Sequence, residues 1–189
     1  MQVAATGNAG GFLKAVTQAN AKFPPGRWAP FLTNHDQPRV MTVLGDLAKA
    51  RVAASAMLML PGTPFVYYGE EIGMTGAKPD ETIRTPMQWT SAPNGGFTTG
   101  PPWEPLQPDW RTNNAAVQDP NRLALLNHYR TLIHLRNTNA ALNVGSLSVI
   151  PADDTTGTIA VWLRTDGDTS FLIVVNFGRY HDYLYLPRL

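Results

Sequence analysis

Two apolar runs of strand length, separated by one apolar helical pattern, constrain the fold of this chain most strongly. The first run covers residues 28–32 and the second covers residues 63–68. Residues 47–60 lie between them, rich in Ala, Leu and Met and poor in charge, which is typical of a helix buried on most sides. Neither run alternates with polar residues, as expected of parallel strands covered on both faces. The pattern therefore predicts a βαβ unit.

Polar residues end both predicted strands. The tripeptide Asn34-His35-Asp36 follows the first strand, and Glu70 and Glu71 follow the second. Strands of a barrel or an open α/β sheet present chemistry where they end, on one common face. We therefore expect the side chains of His35 and Asp36 to point to the same face as those of Tyr68 and Glu70. The alternative interpretation is that Asp36 only caps the helix that follows it.

Composition excludes several classes of function. Apolar residues make up 43% of the 189 residues, so a sizeable core can form. The formal net charge is +1 without a basic block, which gives no reason to expect a nucleic acid or an anionic membrane as partner. The chain has no cysteine, so disulfides and thiolate metal sites are excluded. No signal peptide is visible at Met1, and the compartment, extracellular or cytoplasmic in a bacterium, stays open.

A long irregular stretch, residues 72–118, contains several aromatic side chains beside the predicted strand ends. A loop of this length in a compact domain is usually functional. Exposed Trp and Phe side chains, here Trp89, Phe97 and Trp103, suit stacking on flat apolar faces, including those of sugar rings. The alternative is that these rings simply pack the loop onto the rest of the domain.

The hydrophobic pattern changes from helical to alternating near Gly145. Before it, residues 12–23 predict a short helix, and Asp119-Pro120 predicts the start of a long helix that ends near residue 143. After it, four short strands are predicted, at residues 146–150, 158–163, 171–176 and 183–186. These strands predict a small antiparallel β module with its boundary at residues 143–145.

Three motifs and one longer run resemble the α-amylase family of glycoside hydrolases. Phe31-Leu32-Thr33-Asn34-His35-Asp36 resembles the Phe-x-x-Asn-His-Asp signature that ends the family's seventh barrel strand. Residues 61–74 resemble the eighth strand and the loop after it, and residues 113–136 resemble the run into the last barrel helix. Arg84-Thr85-Pro86-Met87-Gln88-Trp89 is similar to a segment of bacterial α-amylases, oligo-α-glucosidases and trehalose synthases.

The resemblance implies an α/β fold made of part of a (β/α)8 barrel. Residues 1–143 would supply the last two to three βα units of the catalytic barrel. Residues 144–189 would form the small antiparallel β domain that follows the barrel, itself possibly truncated. Because a complete barrel needs about 250 residues, we expect the chain to be the C-terminal portion of a longer protein.

The resemblance also implies a site around Asp36. Catalysis in the family is retaining, with a carboxylate nucleophile and a second carboxylic acid as acid/base from the fourth and fifth strands, and a third carboxylate from the seventh. Only the third matches here, at Asp36, which would hydrogen-bond the sugar and stabilise the transition state, while His35 would bind the same ring. Since no position matches the other two carboxylates, whether this chain is an enzyme by itself stays open.

The predicted site contains Asp36 as its catalytic residue and five substrate-binding residues. These five are Asn34, His35, Arg39, Tyr68 and Glu70. We predict no metal ion and no cofactor, because the calcium sites common in the family lie in parts of the barrel that do not match this sequence. The expected partners are an α-glucan or a maltooligosaccharide, together with a second copy of the chain or an N-terminal half of the barrel.

Two interpretations of function remain open. The first is part of a retaining α-glucan hydrolase acting on α-1,4-linked glucose oligomers or starch, or the corresponding part of an α-glucosidase or trehalose synthase. The second is a non-catalytic module that binds α-glucans or another protein. Exo-acting α-glucosidases of the family typically have another Arg before the Arg-Thr-Pro-Met-Gln-Trp segment, whereas residues 78–81 here are Lys-Pro-Asp-Glu. This difference favours the α-amylase side of the family.

Overall fold

The computed structural model describes residues 2–24, 26–153, 155–179 and 184–186, and the chain divides into two compact units. The first unit contains residues 31–51 and 66–131, and the second contains residues 2–30, 52–65 and the chain from Leu132 onward. Among the described residues, no helix is long and apolar enough to cross a membrane. The predicted domain boundary between residues 143 and 144 stays a prediction.

Helices account for most of the regular structure before residue 145. In chain order they are α1 (Gln2–Thr6), α2 (Ala9–Lys22), α3 (Val40–Leu44), α4 (Leu47–Leu58), α5 (Asp80–Ile83), α6 (Ala115–Gln118), α7 (Leu125–Asn137) and α8 (Ala140–Asn143). Helix α2 begins at Asn8, whose side chain accepts a hydrogen bond from Gly11 N at 2.8 Å. Helix α4 confirms the prediction of a buried helix in this region, since Ala53, Ala54 and Leu58 are almost completely buried.

The long helix predicted from Asp119 begins later than expected, at Leu125, and is divided into α7 and α8. Helix α6 is capped by the side chain of Asn114, which accepts a hydrogen bond from Val117 N at 2.9 Å. Asp119 lies at the C-terminal end of α6, so the prediction that it caps a long helix is wrong. The side chain of Asn127 donates to the carbonyl oxygens of Gln118 and Asp119 at 3.1 and 2.9 Å, which supports the irregular segment before α7.

The two predicted strands of the βαβ unit are not regular strands in the structure, and the segments pair through two hydrogen bonds. In the second unit, Thr63 N donates to Trp28 O at 3.0 Å and Phe65 N donates to Pro30 O at 2.9 Å. The register advances by two residues on both segments, so the pairing is parallel, as predicted. Pro30 has no N–H, so it cannot donate a further hydrogen bond within this pairing. The predicted burial on both faces is wrong for Phe65, which is 60% exposed.

The C-terminal part of the second unit contains an antiparallel sheet of three described strands. Strands β1 (Ser146–Val149), β2 (Ile159–Asp166) and β3 (Thr169–Asn176) pair in the order β1-β2-β3. Trp162 in β2 is fully buried and lies 5.8 Å, centroid to centroid, from the ring of Phe12. The predicted fourth strand, residues 183–186, lies partly outside the described residues. Within its described part, Tyr185 makes an antiparallel bridge with Asp153.

Two buried arginines bind the carbonyl groups at the C-terminal end of α4. Arg136 donates to Leu58 O at 2.7 Å and to Leu60 O at 2.6 Å, and it also contacts Gly62 O. Arg164 donates to Met59 O at 3.1 Å. Since the last carbonyls of a helix have no partner within the helix, these guanidinium groups satisfy acceptors that would otherwise be buried unpaired. Burial lowers the pKa of Arg164 to about 10, and the charge of Arg136 acts in the same direction.

Candidate active site

The tripeptide Asn34-His35-Asp36 forms a tight turn in the first unit. Asn34 Oδ1 accepts a hydrogen bond from Asp36 N at 2.9 Å, an arrangement typical of an Asx turn. The turn leaves the side chains of His35 and Asp36 65% and 61% exposed. Asp36 does not cap α3, because the residue at the N-cap position is Arg39, so the alternative role of Asp36 as a helix cap is wrong.

Arg84 connects this turn to the loop that follows the second predicted strand. Its Nε donates to His35 O at 3.0 Å, and its Nη2 donates to Asp36 Oδ1 at 3.1 Å. The other carboxylate oxygen of Asp36, Oδ2, lies 3.4 Å from His35 Nε2. Each oxygen of the Asp36 carboxylate therefore contacts a different basic side chain.

Asp80 holds Arg84 in this position. Its Oδ2 accepts a hydrogen bond from Arg84 Nη2 at 2.7 Å, and its other carboxylate oxygen contacts Lys78. The pKa of Asp80 is lowered by the hydrogen bond from Lys78 and by the positive charges of Arg84 and Lys78. The sequence did not identify Arg84 as part of the site, although it is the first residue of a motif that carries the resemblance.

Arg39, predicted to bind substrate, is almost completely buried instead. Its guanidinium lies 4.6 and 4.7 Å from the ring centroids of Tyr67 and Tyr68, and its Nη1 donates to Tyr68 O at 2.6 Å. These contacts are cation–π interactions, and burial lowers the pKa of Arg39. Tyr68, half-exposed, donates through its hydroxyl to Thr85 O at 2.7 Å. Arg39 therefore packs against Tyr67 and Tyr68 and does not lie on an open surface.

Glu70, also predicted to bind substrate, does not lie on the open face with Asp36. Its side chain is 5% exposed, and its Oε1 accepts a hydrogen bond from Tyr129 Oη at 2.7 Å. Burial raises the pKa of Glu70 to about 7, although the hydrogen bond from Tyr129 acts in the opposite direction. Gly69, at a φ of 79°, precedes a short 3₁₀ segment that contains Glu70 and Glu71. This burial argues against direct contact between Glu70 and a substrate.

A cleft with aromatic walls lies next to Arg84 in the same unit. Its volume is about 420 Å³, and it is lined by Tyr68, Glu71, Arg84, Pro86, Met87, Trp89, Phe97 and Trp103. Trp89, Phe97 and Trp103 are exposed. We refer to these eight residues as the aromatic cleft. Arg84 contacts Asp36 and also lines the cleft, as Tyr68 does. Arg84 therefore connects Asp36 to the cleft.

The site supplies one exposed carboxylate for chemistry. Asp36 can accept hydrogen bonds from hydroxyl groups and can stabilise positive charge that develops nearby. Asp80, the other carboxylate bound to Arg84, is held by Lys78 and Arg84. Within the part of the chain that the structure describes, no group of three or more His, Asp or Glu side chains could hold a metal ion.

Residues 7–145 match the model of the alpha amylase catalytic domain. The oligo-1,6-glucosidase of Parageobacillus thermoglucosidasius is 33% identical over 201 residues, which cover 83% of this chain and 35% of that protein. Alpha-amylase 3 of Dictyoglomus thermophilum is 39% identical over 156 residues, which cover 80% of this chain and 30% of that protein. The chain therefore spans about a third of the length of these curated relatives.

Solved structures of related enzymes superpose well on the chain. The crystal structure of the alpha-amylase from H. orenii has a TM-score of 0.82 at 38% identity, covering 93% of this chain and 36% of that one. The trehalose-6-phosphate hydrolase of Bacillus licheniformis has a TM-score of 0.70 at 27% identity, covering 88% of this chain and 38% of that one. The predicted fold class, a partial (β/α)8 barrel followed by a small antiparallel β domain, is confirmed.

Proposed function

Because the chain belongs to the alpha-amylase family of glycoside hydrolases, we propose that it is part of a retaining α-glucan hydrolase. The observation that supports this most is the exposed carboxylate of Asp36, which is fixed by a hydrogen-bonded turn and contacted by His35 and Arg84. A carboxylate held in this way can bind the hydroxyl groups of one sugar ring.

In this proposal, Asp36 stabilises the transition state and His35 binds the same ring. The transition state of glycoside hydrolysis resembles an oxocarbenium ion, so a nearby carboxylate is electrostatically favourable. The imidazole of His35 is exposed beside Asp36 and can donate to or accept from a hydroxyl group. Asn34 acts as a positioning residue, because its side chain accepts from Asp36 N.

In this proposal, this chain supplies neither the nucleophile nor the acid/base. Both come from a part of the protein that corresponds to the regions of the relatives that this chain does not match. Retaining hydrolysis needs two carboxyl groups about 5 Å apart on opposite sides of the bond that breaks. No position of the chain matches the family's motifs for these two groups, and Asp80 shares Arg84 with Asp36. We therefore expect the chain alone to bind sugar without hydrolysing it at a useful rate.

The proposed substrate is starch or an α-1,4-linked glucose oligomer. The chain is 39% identical to alpha-amylase 3 of D. thermophilum and 38% identical to the alpha-amylase from H. orenii. Its identity to the trehalose-6-phosphate hydrolase of B. licheniformis is 27%. The 33% identity to the oligo-1,6-glucosidase keeps an α-glucosidase as the second candidate. Maltose and isomaltose, which differ only in their linkage, would separate these two candidates in a binding assay.

A non-catalytic module that binds α-glucans is the other candidate function. The observation that favours it is that, in the described part of the chain, the Asp36 carboxylate contacts the basic side chains of His35 and Arg84 rather than another carboxyl group. Both candidates predict sugar binding at Asp36. Only the first predicts hydrolysis when the missing carboxylates are supplied.

Binding of maltose to the purified chain tests the proposed site. Asp36→Asn should weaken maltose binding about tenfold, or about 1.4 kcal/mol, because a charged hydrogen-bond acceptor is lost. Asp119→Asn is the matched control, since Asp119 is as exposed as Asp36 and is also paired with an arginine, Arg130. Calorimetric titration measures both affinities. Equal affinity of Asp36→Asn and the wild type would contradict the proposed site.

A further inference from the structure

One asparagine in the long loop is followed directly by glycine. Asn94-Gly95 is the only such pair in the 189 residues. Both residues have a positive φ, 55° and 64°, which is typical of a tight turn. The pair also has a chemistry of its own, because glycine has no Cβ to shield its N–H from the side chain that precedes it.

The reaction open to this pair is spontaneous deamidation, with water as the co-reactant. Gly95 N forms a bond to Asn94 Cγ, the bond from Cγ to Nδ2 breaks, and ammonia leaves with the hydrogen of Gly95 N. Water then opens the cyclic imide at either carbonyl carbon, and the product is aspartate or isoaspartate. The reaction becomes faster as the pH rises, because Gly95 N must lose its hydrogen.

The folded turn commits both reacting groups to other partners. Asn94 Nδ2 donates to Thr98 O at 3.2 Å and to Gly100 O at 2.9 Å. Gly95 N donates to Ala92 O at 3.0 Å, and Gly95 is buried. An attacking atom must approach its target within about 3–3.5 Å in the right orientation. Three hydrogen bonds therefore have to break before Gly95 N can attack, which requires local opening of the turn.

Deamidation would reverse the hydrogen-bonding character of the Asn94 side chain. The amide nitrogen supplies donors, whereas an ionised carboxylate has only acceptors. The carbonyl oxygens of Thr98 and Gly100 would then face a negative charge in place of the donor that binds them. Because the product cannot remake these bonds, the turn does not close again in its original form.

The same turn is joined to the backbone of two aromatic residues of the cleft. Trp89 N donates to Gly95 O at 2.9 Å, and Phe97 N donates to Asn94 O at 3.0 Å. Trp89 and Phe97 both line the aromatic cleft. In isoaspartate the main chain runs through Cβ and Cγ and is one atom longer, so the register of these two bonds changes. A modification at Asn94 therefore reaches the wall of the cleft.

We propose that Asn94 is a deamidation site that the folded turn protects, and that its conversion to aspartate or isoaspartate opens residues 89–100. The three hydrogen bonds of Asn94 Nδ2 and Gly95 N set the protection. Together they should slow the reaction about a hundredfold relative to the unfolded chain. Conditions that open the turn without unfolding the rest of the chain commit this loop to an irreversible change.

Incubation of the purified chain in mildly alkaline buffer, with and without urea, tests the protection. Digestion and mass spectrometry follow every asparagine, because replacement of an amide by a carboxyl group changes the mass of the peptide. In urea, Asn94 should react faster than the other asparagines, which are internal controls because none of them precedes glycine. In the folded chain, Asn94 should react about a hundredfold more slowly than in urea. Equal rates at Asn94 in the two conditions, or a faster reaction at another asparagine in urea, would overturn the proposal.

Hydrogen exchange of the Asn94→Asp variant tests the effect on the loop. The amide of Phe97 should exchange at least about tenfold faster than in the wild type, because the turn that accepts its hydrogen opens. Asn137→Asp makes the same change at an exposed position at the end of α7 and should leave Phe97 unaffected. The amides of β2 should exchange as in the wild type in both variants. Unchanged exchange at Phe97 in Asn94→Asp, equal acceleration in both variants, or lost protection in β2 would contradict an effect specific to this loop.

Discussion

At the scale of single residues, the buried carboxyl group of Glu70 gives the first unit a stability that depends on pH. Its pKa is raised to about 7 in the folded chain, mainly by burial, from an ordinary value of 4.5. The folded state therefore binds this proton more tightly than the unfolded state does. The stabilisation is complete below about pH 4.5 and is lost as the pH rises through about 7.

Glu70→Gln should remove this dependence, because glutamine is neutral at every pH and can still accept a hydrogen bond from Tyr129. Relative to this variant, the wild type should lose unfolding free energy between pH 5 and 8, by up to roughly 3 kcal/mol. Urea unfolding at several pH values measures the difference. Glu81→Gln, at an exposed position, is the control. A constant difference between wild type and Glu70→Gln across this range would contradict the assignment.

The sequence predicted the site residues that lie within one short motif. It did not predict contacts between residues that are far apart in the sequence. Asn34, His35 and Asp36 lie in one motif, and their turn requires only neighbouring residues. The bond from Arg84 to Asp36 joins residues 48 positions apart, and no periodic pattern predicts such a contact. The choice of Glu71 rather than Glu70 for the cleft depends on the turn at Gly69.

At the scale of secondary-structure elements, the C-terminal end of α4 depends on the buried guanidinium of Arg136. Arg136→Ala should lower the unfolding free energy by about 3 kcal/mol, because it leaves buried carbonyl groups of Leu58 and Leu60 without donors. Arg130→Ala, on the same helix α7, removes an exposed pair with Asp119 and an exposed hydrogen bond to Asn127, and should cost less than about 1 kcal/mol. Thermal unfolding of both variants measures this difference, and equal losses would contradict it.

Helices and strands were predictable from the sequence where a single hydrophobic pattern determines them. The apolar composition of α4 and the alternation of β2 and β3 produced the expected structures. The pairing of residues 28–30 with 63–65 has the predicted direction, although Pro30 cannot donate a hydrogen bond to it. The start of the long helix at Leu125 rather than at Asp119 was missed, because Asp119 belongs to the C-terminal end of α6, which is capped by Asn114.

At the scale of the whole molecule, large apolar side chains stay exposed in both units. Phe31 and Leu123 are examples in the first unit, and Phe65 and Val144 in the second. We expect the chain to self-associate or to be poorly soluble alone, because monomers rarely expose large apolar patches. Light scattering over a range of concentrations measures this. A monodisperse monomer at high concentration would contradict it, and Phe65→Ser should shift the equilibrium toward monomer.

Complementation of hydrolysis tests the central claim most directly. The chain would be mixed with a separately expressed N-terminal barrel segment, taken from the part of D. thermophilum alpha-amylase 3 outside the match, and assayed on maltoheptaose. We predict no turnover by either part alone, turnover by the mixture, and a loss of at least about a hundredfold with Asp36→Asn but not with Asp119→Asn. Turnover by the chain alone, or by the mixture without dependence on Asp36, would contradict the assignment of Asp36 as the transition-state-stabilising carboxylate of a retaining α-glucan hydrolase.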